Sequence, residues 1–365
     1  MKMGKKILIL ANSIVGLHDF RKELITVLAK ENEVVASTPF DDERKVVALR
    51  EKGCRLIEAK MERRGMNPFR DLFLMKNYYQ LLKKEKPELV ITYTIKPNIY
   101  GSMVCCFKKI PYAVNITGLG TAFEGQGFLC KIVTVMYKIA LKKSKVVFFE
   151  NAENMQLFID GNIVRQEQAK LLNGAGVNLE RYSVLPYPED MGEIRFLFMG
   201  RVMAEKGVDE LFEAMRILRE NGVKCSLDML GGFDENYADK IKIAELEGWL
   251  RYHGYQSDVR PFISDCHCFI LPSWHEGMAN TNLECAASGR PVITSNIHGC
   301  LEAVEDNVSG YLCDVKSSKS LYEVMIRMSE LSIEERRAMG LAGRKRMEDM
   351  FDKKIVVEET IKQLY

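Results

Sequence analysis

One feature constrains this chain more than any other. Short β-branched and aliphatic runs alternate with amphipathic stretches from its first residues onward. Ile7 to Leu10 reads as a buried strand, Leu17, Phe20, Leu24, Val27 and Leu28 follow at helical spacing, and Val34 to Ala36 reads as the next strand. The same rhythm runs through Leu89 to Tyr93, Tyr112 to Ile116 and Val146 to Phe149. Alternation of this kind builds a parallel sheet covered by helices. It stops at Leu185-Pro186-Tyr187-Pro188-Glu189-Asp190-Met191-Gly192, where prolines and a glycine suit a linker. A second series then begins, with candidate strands at Arg195 to Met199, Ser226 to Leu230, Cys268 to Leu271, Val292 to Thr294 and Tyr311 to Cys313. The expected fold class is α/β, with two Rossmann-like halves joined near residue 190. Ligands bind outside the carboxyl ends of the strands in open α/β sheets, so halves that face each other would enclose a cleft.

A length of 365 residues agrees with two domains, and 47% hydrophobic residues exclude a disordered chain. The ten cysteines include no CxxC pair, and Met1 to Lys6 leads straight into an apolar run, which fits a reducing cytosol. Lysine or glycine breaks each apolar stretch before the roughly 18 residues that a bilayer span needs, so any membrane contact is expected to be peripheral. Charge is uneven: residues 1–185 carry 30 Lys and Arg against 19 Asp and Glu, and the remainder 22 against 31. The first half therefore expects an anionic partner: a nucleic acid, an anionic lipid surface or a phosphorylated acceptor. No helix-turn-helix, RNA-binding sheet motif or aromatic-interleaved basic strip supports nucleic acid. No GxGxxG follows the first strand, as a dinucleotide oxidoreductase would require.

The richest segment is Phe269 to Pro291, FILPSWHEGMANTNLECAASGRP. A strand ends at Pro272, Glu276-Gly277 lies in the following loop, and Asn280-Thr281 offers a cap for a helix that carries Glu284. Both carboxylates can point into the cleft, and a carboxylate accepts two hydrogen bonds from a vicinal diol of ribose or hexose. The N–H groups of Gly277, Met278, Ala279 and Asn280, just before a helix, suit a phosphate or a sugar hydroxyl. The plainer alternative is a solvated loop glutamate and a helix-surface charge. A second constellation, Gly200-Arg201-Val202-Met203-Ala204-Glu205-Lys206-Gly207, places two cations in the loop after the first strand of the second half. Guanidinium binds phosphate oxygens bidentately and lysine supplies a point charge. Arg201 paired with an acid, and Lys206 solvating a turn, is the alternative.

Glu276 and Glu284, followed by Gly289-Arg290-Pro291 and preceded by Gly200-Arg201 and Glu205-Lys206-Gly207, resemble the EX7E and GRxxxEKG motifs of family 4 of the retaining, GT-B type glycosyltransferases. The resemblance implies a domain at 1–188 that binds acceptor, a domain at 189–348 that binds a nucleotide sugar, and a C-terminal helix, 349–365, that returns to the first domain. It implies that Glu276 contacts the donor hexose, Glu284 the ribose, and Arg201 and Lys206 the diphosphate, with the base near Gly254 and Tyr255. It also implies retention of anomeric configuration through an oxocarbenium-like state. No Asp-x-Asp triplet occurs and the five histidines do not cluster, so neither metal nor other cofactor is expected and fixed cations would stabilise the leaving diphosphate. UDP is expected as the nucleotide on family frequency.

In the first half, Gly16 is the nearest match to the family's small-residue loop against the donor phosphates. The stretch Asn115-Ile116-Thr117-Gly118-Leu119-Gly120 lacks the histidine that many relatives carry, which leaves Thr117 or His18 for that role. Tyr93-Thr94-Ile95-Lys96-Pro97-Asn98 is similar to bacterial enzymes that extend capsule, O-antigen and other lipid-linked glycans. Arg63, with Arg64, and Lys96 are the acceptor-site candidates, on the expectation of a polyprenyl diphosphate glycolipid at the inner face of the cell membrane. The apolar stretch from Phe128 to Leu141, studded with Lys131 and Lys138, reads as a core helix with a solvated lysine face, with an interfacial helix as the alternative. A nucleotide-sugar 2-epimerase of the same architecture is the rival function, since it would bind the same donor and need no acceptor surface.

Overall fold

Two parallel sheets organise the chain. The computed structural model describes residues 4–59, 68–119, 127–189 and 192–365. The first sheet holds β1 (Lys6–Leu10), β2 (Glu33–Thr38), β3 (Cys54–Glu58), β4 (Leu89–Tyr93), β5 (Tyr112–Ile116), β6 (Val146–Phe149) and β7 (Ala169–Leu171), in the order β3-β2-β1-β4-β5-β6-β7. The second holds β8 (Ile194–Met199), β9 (Cys225–Leu230), β10 (Leu250–Gly254), β11 (Cys268–Leu271), β12 (Val292–Ser295) and β13 (Gly310–Cys313), in the order β10-β9-β8-β11-β12-β13. Each order reverses beside the first strand of its half, between β1 and β4 and between β8 and β11. That reversal is the topological switch point at which doubly wound sheets bind ligands.

Side-chain alternation along β1 shows why both faces are covered. Ile7 and Ile9 pack with Leu17, Leu24 and Leu28 of the helix Ile14–Ala29, whereas Leu8 and Leu10 pack with Tyr78, Val104 and Tyr137 of three helices on the other face. Those three are Pro68–Glu85, Ser102–Lys108 and Phe128–Leu141. Pro68 opens the first of them, with Phe69 and Arg70 in its first turn; proline at that position lacks only an N–H that would have no intrahelical partner. Phe128–Leu141 is a core helix: Val133, Tyr137, Ala140 and Leu141 are buried, and Lys131 and Lys138 are exposed.

The chain divides into two compact units, Met1–Ala175 with Val356–Tyr365, and Gly176–Ile355. The division falls upstream of the proline-rich stretch, because that stretch is bonded into the second unit. Leu185 N–H donates to Ser288 O (3.2 Å), Tyr187 Oη to His267 O (2.6 Å), and the buried Arg290 guanidinium donates to Pro186 O (2.7 Å), Ile263 O (2.8 Å) and Ser264 O (3.0 Å). At the C-terminus, the helix Lys353–Leu364 buries Val357 and Leu364 in the core of the first unit, and Lys145 Nζ donates to Leu364 O (2.9 Å).

Candidate functional site

β8 ends at Met199, and the loop that follows carries Arg201, a short 3-10 turn at Ala204–Lys206, and Gly207. β11 ends at Leu271, and its loop runs through Glu276 to the helix Asn280–Ala287. β8 and β11 are hydrogen-bonded neighbours, so loops remote in sequence emerge side by side. Trp274 N–H donates to Glu205 O (2.8 Å) and ties one loop to the other. Gly207 adopts φ +71°, and a Cβ there would lie 2.1 Å from Pro272 O. Gly207→Ala is therefore expected to cost about 2 kcal/mol or more from the left-handed backbone alone, with a lowered thermal midpoint as the readout. A third loop supports the second: Ala279 N–H donates to Gly299 O (2.6 Å), and a Cβ on Gly299 (φ +91°) would lie 2.5 Å from Glu276 O.

Within this frame Lys206 and Glu276 form an ion pair, both side chains largely buried, and Ser273 Oγ donates to the same carboxylate oxygen at 2.9 Å. Arg201 is not part of that pair. Its guanidinium engages Asp234, and its side chain is 52% exposed. Glu284 lies on the half-buried face of the helix Asn280–Ala287 with Asn280 and Thr281, at the i, i+3 and i+4 spacing that aligns side chains on one face. Tyr182 is directed at Glu284. Burial pushes the Tyr182 phenol well above its ordinary value, and the carboxylate beside it adds to the rise.

The cap of this helix differs from the sequence expectation. Asn280 is already helical and turns its amide back to Met278 O (3.2 Å), so the cap position falls on Ala279, which has no side chain to offer. The amino end of the helix is left without a side-chain cap, the arrangement that suits an anion or a ligand oxygen. Met278 and Ala279 are buried beneath it, and Gly277 is partly exposed. Cys300 is a fully buried thiol: burial holds its pKa well above the usual thiol value, and the charge of Glu276 adds to the effect.

Gly200 N–H donates to Leu230 O (3.0 Å), and a Cβ on Gly231 would lie 1.7 Å from Gly200 O, so β8 and β9 end in close backbone contact. Tyr255 follows Gly254 at the end of β10 with a 70% exposed side chain. In the first unit Gly16 lies inside the helix Ile14–Ala29, and its N–H donates to the capping Ser13 Oγ (3.3 Å). His18 Nδ1 is 2.8 Å from Asp19 Oδ1. Thr117 is partly exposed just past β5. Lys96 is largely buried and donates to Asp71 (3.1 Å), whose other oxygen accepts from Tyr100 Oη (2.9 Å). Arg63 and Arg64 lie outside the described residues.

Ser273, Asp234, Tyr182 and Gly299 escaped the sequence reading. Ser273 alone carried a local signal, three residues before Glu276; the others approach from segments whose proximity depends on strand order. Among the described residues no group of three or more His, Cys, Asp or Glu side chains is gathered to hold a metal ion.

Residues 186–346 match the model of "Glycosyl transferases group 1" and residues 6–151 that of "Glycosyl transferase 4-like". A Campylobacter jejuni protein, N,N'-diacetylbacillosaminyl-diphospho-undecaprenol alpha-1,3-N-acetylgalactosaminyltransferase, is 26% identical over 97% of this chain and 96% of its own. The capsular polysaccharide biosynthesis glycosyltransferase CapM of Staphylococcus aureus is 24% identical over 81% of each chain. Among solved structures, Anabaena HepE in complex with UDP and glucose superposes with a TM-score of 0.81 at 15% identity, covering 99% of both chains.

Proposed function

This chain belongs to the glycosyltransferases, 4-like in its first half and group 1 in its second, and we propose that it moves a hexose from a UDP-sugar to a lipid-diphosphate-linked or saccharide acceptor in the assembly of a bacterial surface glycan. The observation that carries this reading is the Lys206–Glu276 pair at the adjoining ends of β8 and β11, beside a helix end without a side-chain cap. In the proposed reaction the anomeric C1–O bond breaks and the electron pair leaves on the diphosphate. The acceptor hydroxyl attacks the same face, so configuration is retained, and its proton passes to the departing diphosphate. Lys206 and the helix end meet the developing negative charge with groups already in place. Arg201 can turn from Asp234 to join them, because an ion pair this exposed is worth only about 0–1 kcal/mol. Glu276 receives hexose hydroxyls, Glu284 the ribose with Tyr182 fixing its rotamer, and the exposed ring of Tyr255 stacks on the base. Neither metal nor other cofactor enters the scheme.

The first unit takes the acceptor, and its excess of basic residues supports a site of action at the cytoplasmic face of a membrane. The acceptor named for the Campylobacter jejuni relative supports that class of substrate. Lys96 is proposed to trade Asp71 for the acceptor's phosphate, and Thr117 to supply a hydroxyl near it. The test is a thermal-shift screen of nucleotide sugars. A UDP-sugar at about 100 times its Kd should stabilise the fold by about 2.7 kcal/mol, and sugar should be transferred only when acceptor is added. Epimerised sugar formed without acceptor would reject the transferase.

A further inference from the structure

The helix Pro68–Glu85 has two apolar faces where a surface helix needs one. Leu74, Tyr78 and Leu82 are buried in the core of the first unit, four residues apart. Phe69, Leu72, Phe73, Lys76 and Tyr79 recur at helical spacing on a second stripe that faces outward, with Leu72 66% and Phe73 63% exposed. On the neighbouring helix Ser102–Lys108, Phe107 is 77% exposed, and its ring lies 6.3 Å from that of Tyr79. Between the two helices runs a groove of about 570 Å³ lined by Leu72, Phe73, Met75, Tyr79, Met103 and Phe107. Outward-facing apolar side chains packed this densely mark an interaction site.

The charge around the groove chooses the occupant. Pro68–Glu85, Ser102–Lys108 and Phe128–Leu141 cover one face of the first sheet and carry Arg70, Lys76, Lys83, Lys84, Lys108, Lys131 and Lys138. Their acids are Asp71 and Glu85, both buried and both paired: Asp71 with Lys96, Glu85 with Arg55. The exposed charge of these three helices is therefore positive, whereas Ala152–Asp160, which packs into the same core through Phe158, carries the exposed Glu153 and Asp160. Lys108 Nζ sits 4.5 Å from the centre of the Tyr79 ring, and Lys76 lines the groove, so cations stand at the edge of the apolar surface. Basic side chains beside exposed aromatic and aliphatic ones are the composition that binds an anionic bilayer interface, with apolar groups sunk into the acyl boundary and lysines at the headgroups. A symmetric pair of copies would press two positive faces together. A polyanion without an apolar core would leave Leu72, Phe73 and Phe107 in water.

We propose that the groove between Pro68–Glu85 and Ser102–Lys108 docks on an anionic lipid bilayer, with Phe73 and Phe107 inserted among the acyl chains. This deepens the reading of a lipid-linked acceptor and rests on it, since it sets the acceptor-binding unit on the membrane that holds such an acceptor. The Phe128–Leu141 helix supplies cations to this surface without being the inserted element.

Flotation with vesicles of equimolar phosphatidylglycerol and phosphatidylethanolamine tests it. The full chain should partition to the vesicles, and Phe73→Ser and Phe107→Ser should each weaken partition by roughly tenfold. Lys76→Glu/Lys108→Glu should do the same, as should about 1 M salt, at which the Debye length falls to about 3 Å. Phe107→Trp should show fluorescence quenched by brominated acyl chains. Unchanged partition of both serine variants, or no quenching, overturns the proposal. So does a dimer in sedimentation that Phe107→Ser dissolves while wild-type protein ignores vesicles. Stabilisation by UDP-sugar should survive in Phe107→Ser. If no nucleotide sugar stabilises the protein while vesicles still bind it, the transferase reading falls and the docking surface stands.

Discussion

Lys206→Ala and Glu276→Ala are each expected to lower turnover by about two to three orders of magnitude, since the proposed roles give Lys206 the leaving-group charge and Glu276 the hexose hydroxyls. Stability should fall as well, because each change leaves the opposite charge largely buried without its partner. A cost of about 1–3 kcal/mol follows for an unsatisfied group of that kind. The double variant Lys206→Ala/Glu276→Ala separates the two effects. With both charges gone, the stability loss should be smaller than the sum of the single losses by about 0.5–3 kcal/mol, the range for residues in direct contact. Turnover should not recover, since neither of the two proposed roles is restored. Urea midpoints and initial transfer rates on the same four proteins check both halves. A double variant that regains wild-type rates would show that the pair only braces two loops.

Arg290→Ala should be the most destabilising substitution of a charged residue in the second unit. This side chain is fully buried, and its guanidinium donates to the carbonyls of Pro186, Ile263 and Ser264, with longer bonds to Leu185 and Ser288. Alanine opens a cavity and strips the donors from several buried carbonyls together, so a loss of about 4 kcal/mol is expected. Lysine should not restore it, because one ammonium cannot reach carbonyls that a planar fork serves from several sides. Denaturant midpoints on Arg290→Ala and Arg290→Lys provide the check; a loss under about 1 kcal/mol in either would contradict this account. The arginine of the Gly289-Arg290-Pro291 motif thus has a structural task, holding Leu185 to Tyr187 against the second unit.

The central strands were legible because burial on both faces selects continuous apolar runs. Leu89–Tyr93, Tyr112–Ile116, Val146–Phe149 and Cys268–Leu271 have the same bounds in sequence and structure. The edge strands β3 and β7 were not. Cys54–Glu58 mixes Arg55 and Glu58 with Leu56 and Ile57, and Ala169–Leu171 is only three residues long, so neither forms an apolar run. At the site, Lys206 and Glu276 could be chosen from their loops and residue types. Asp234 as the partner of Arg201 could not, because that contact arises from loops after β8 and β9 whose conformation depends on Gly231 and Gly200 meeting backbone to backbone. The second apolar stripe of Pro68–Glu85 was hidden for another reason: its phenylalanines and leucines look like core until the sheet shows which stripe is covered.

The strand order also bears on how the molecule comes into being. β8 pairs with β9 on one flank almost at once in chain order, whereas its other flank waits for β11, after β9, β10 and three helices have been laid down. Lys206 and Glu276 stand 70 residues apart along the backbone and meet only across that late pairing. Closing so long a loop is entropically costly and slow. A nascent chain ending before Cys268 can hold β8, β9 and β10 yet lacks Glu276, so the Lys206–Glu276 pair, and with it the proposed catalysis, waits until β11 has joined the sheet.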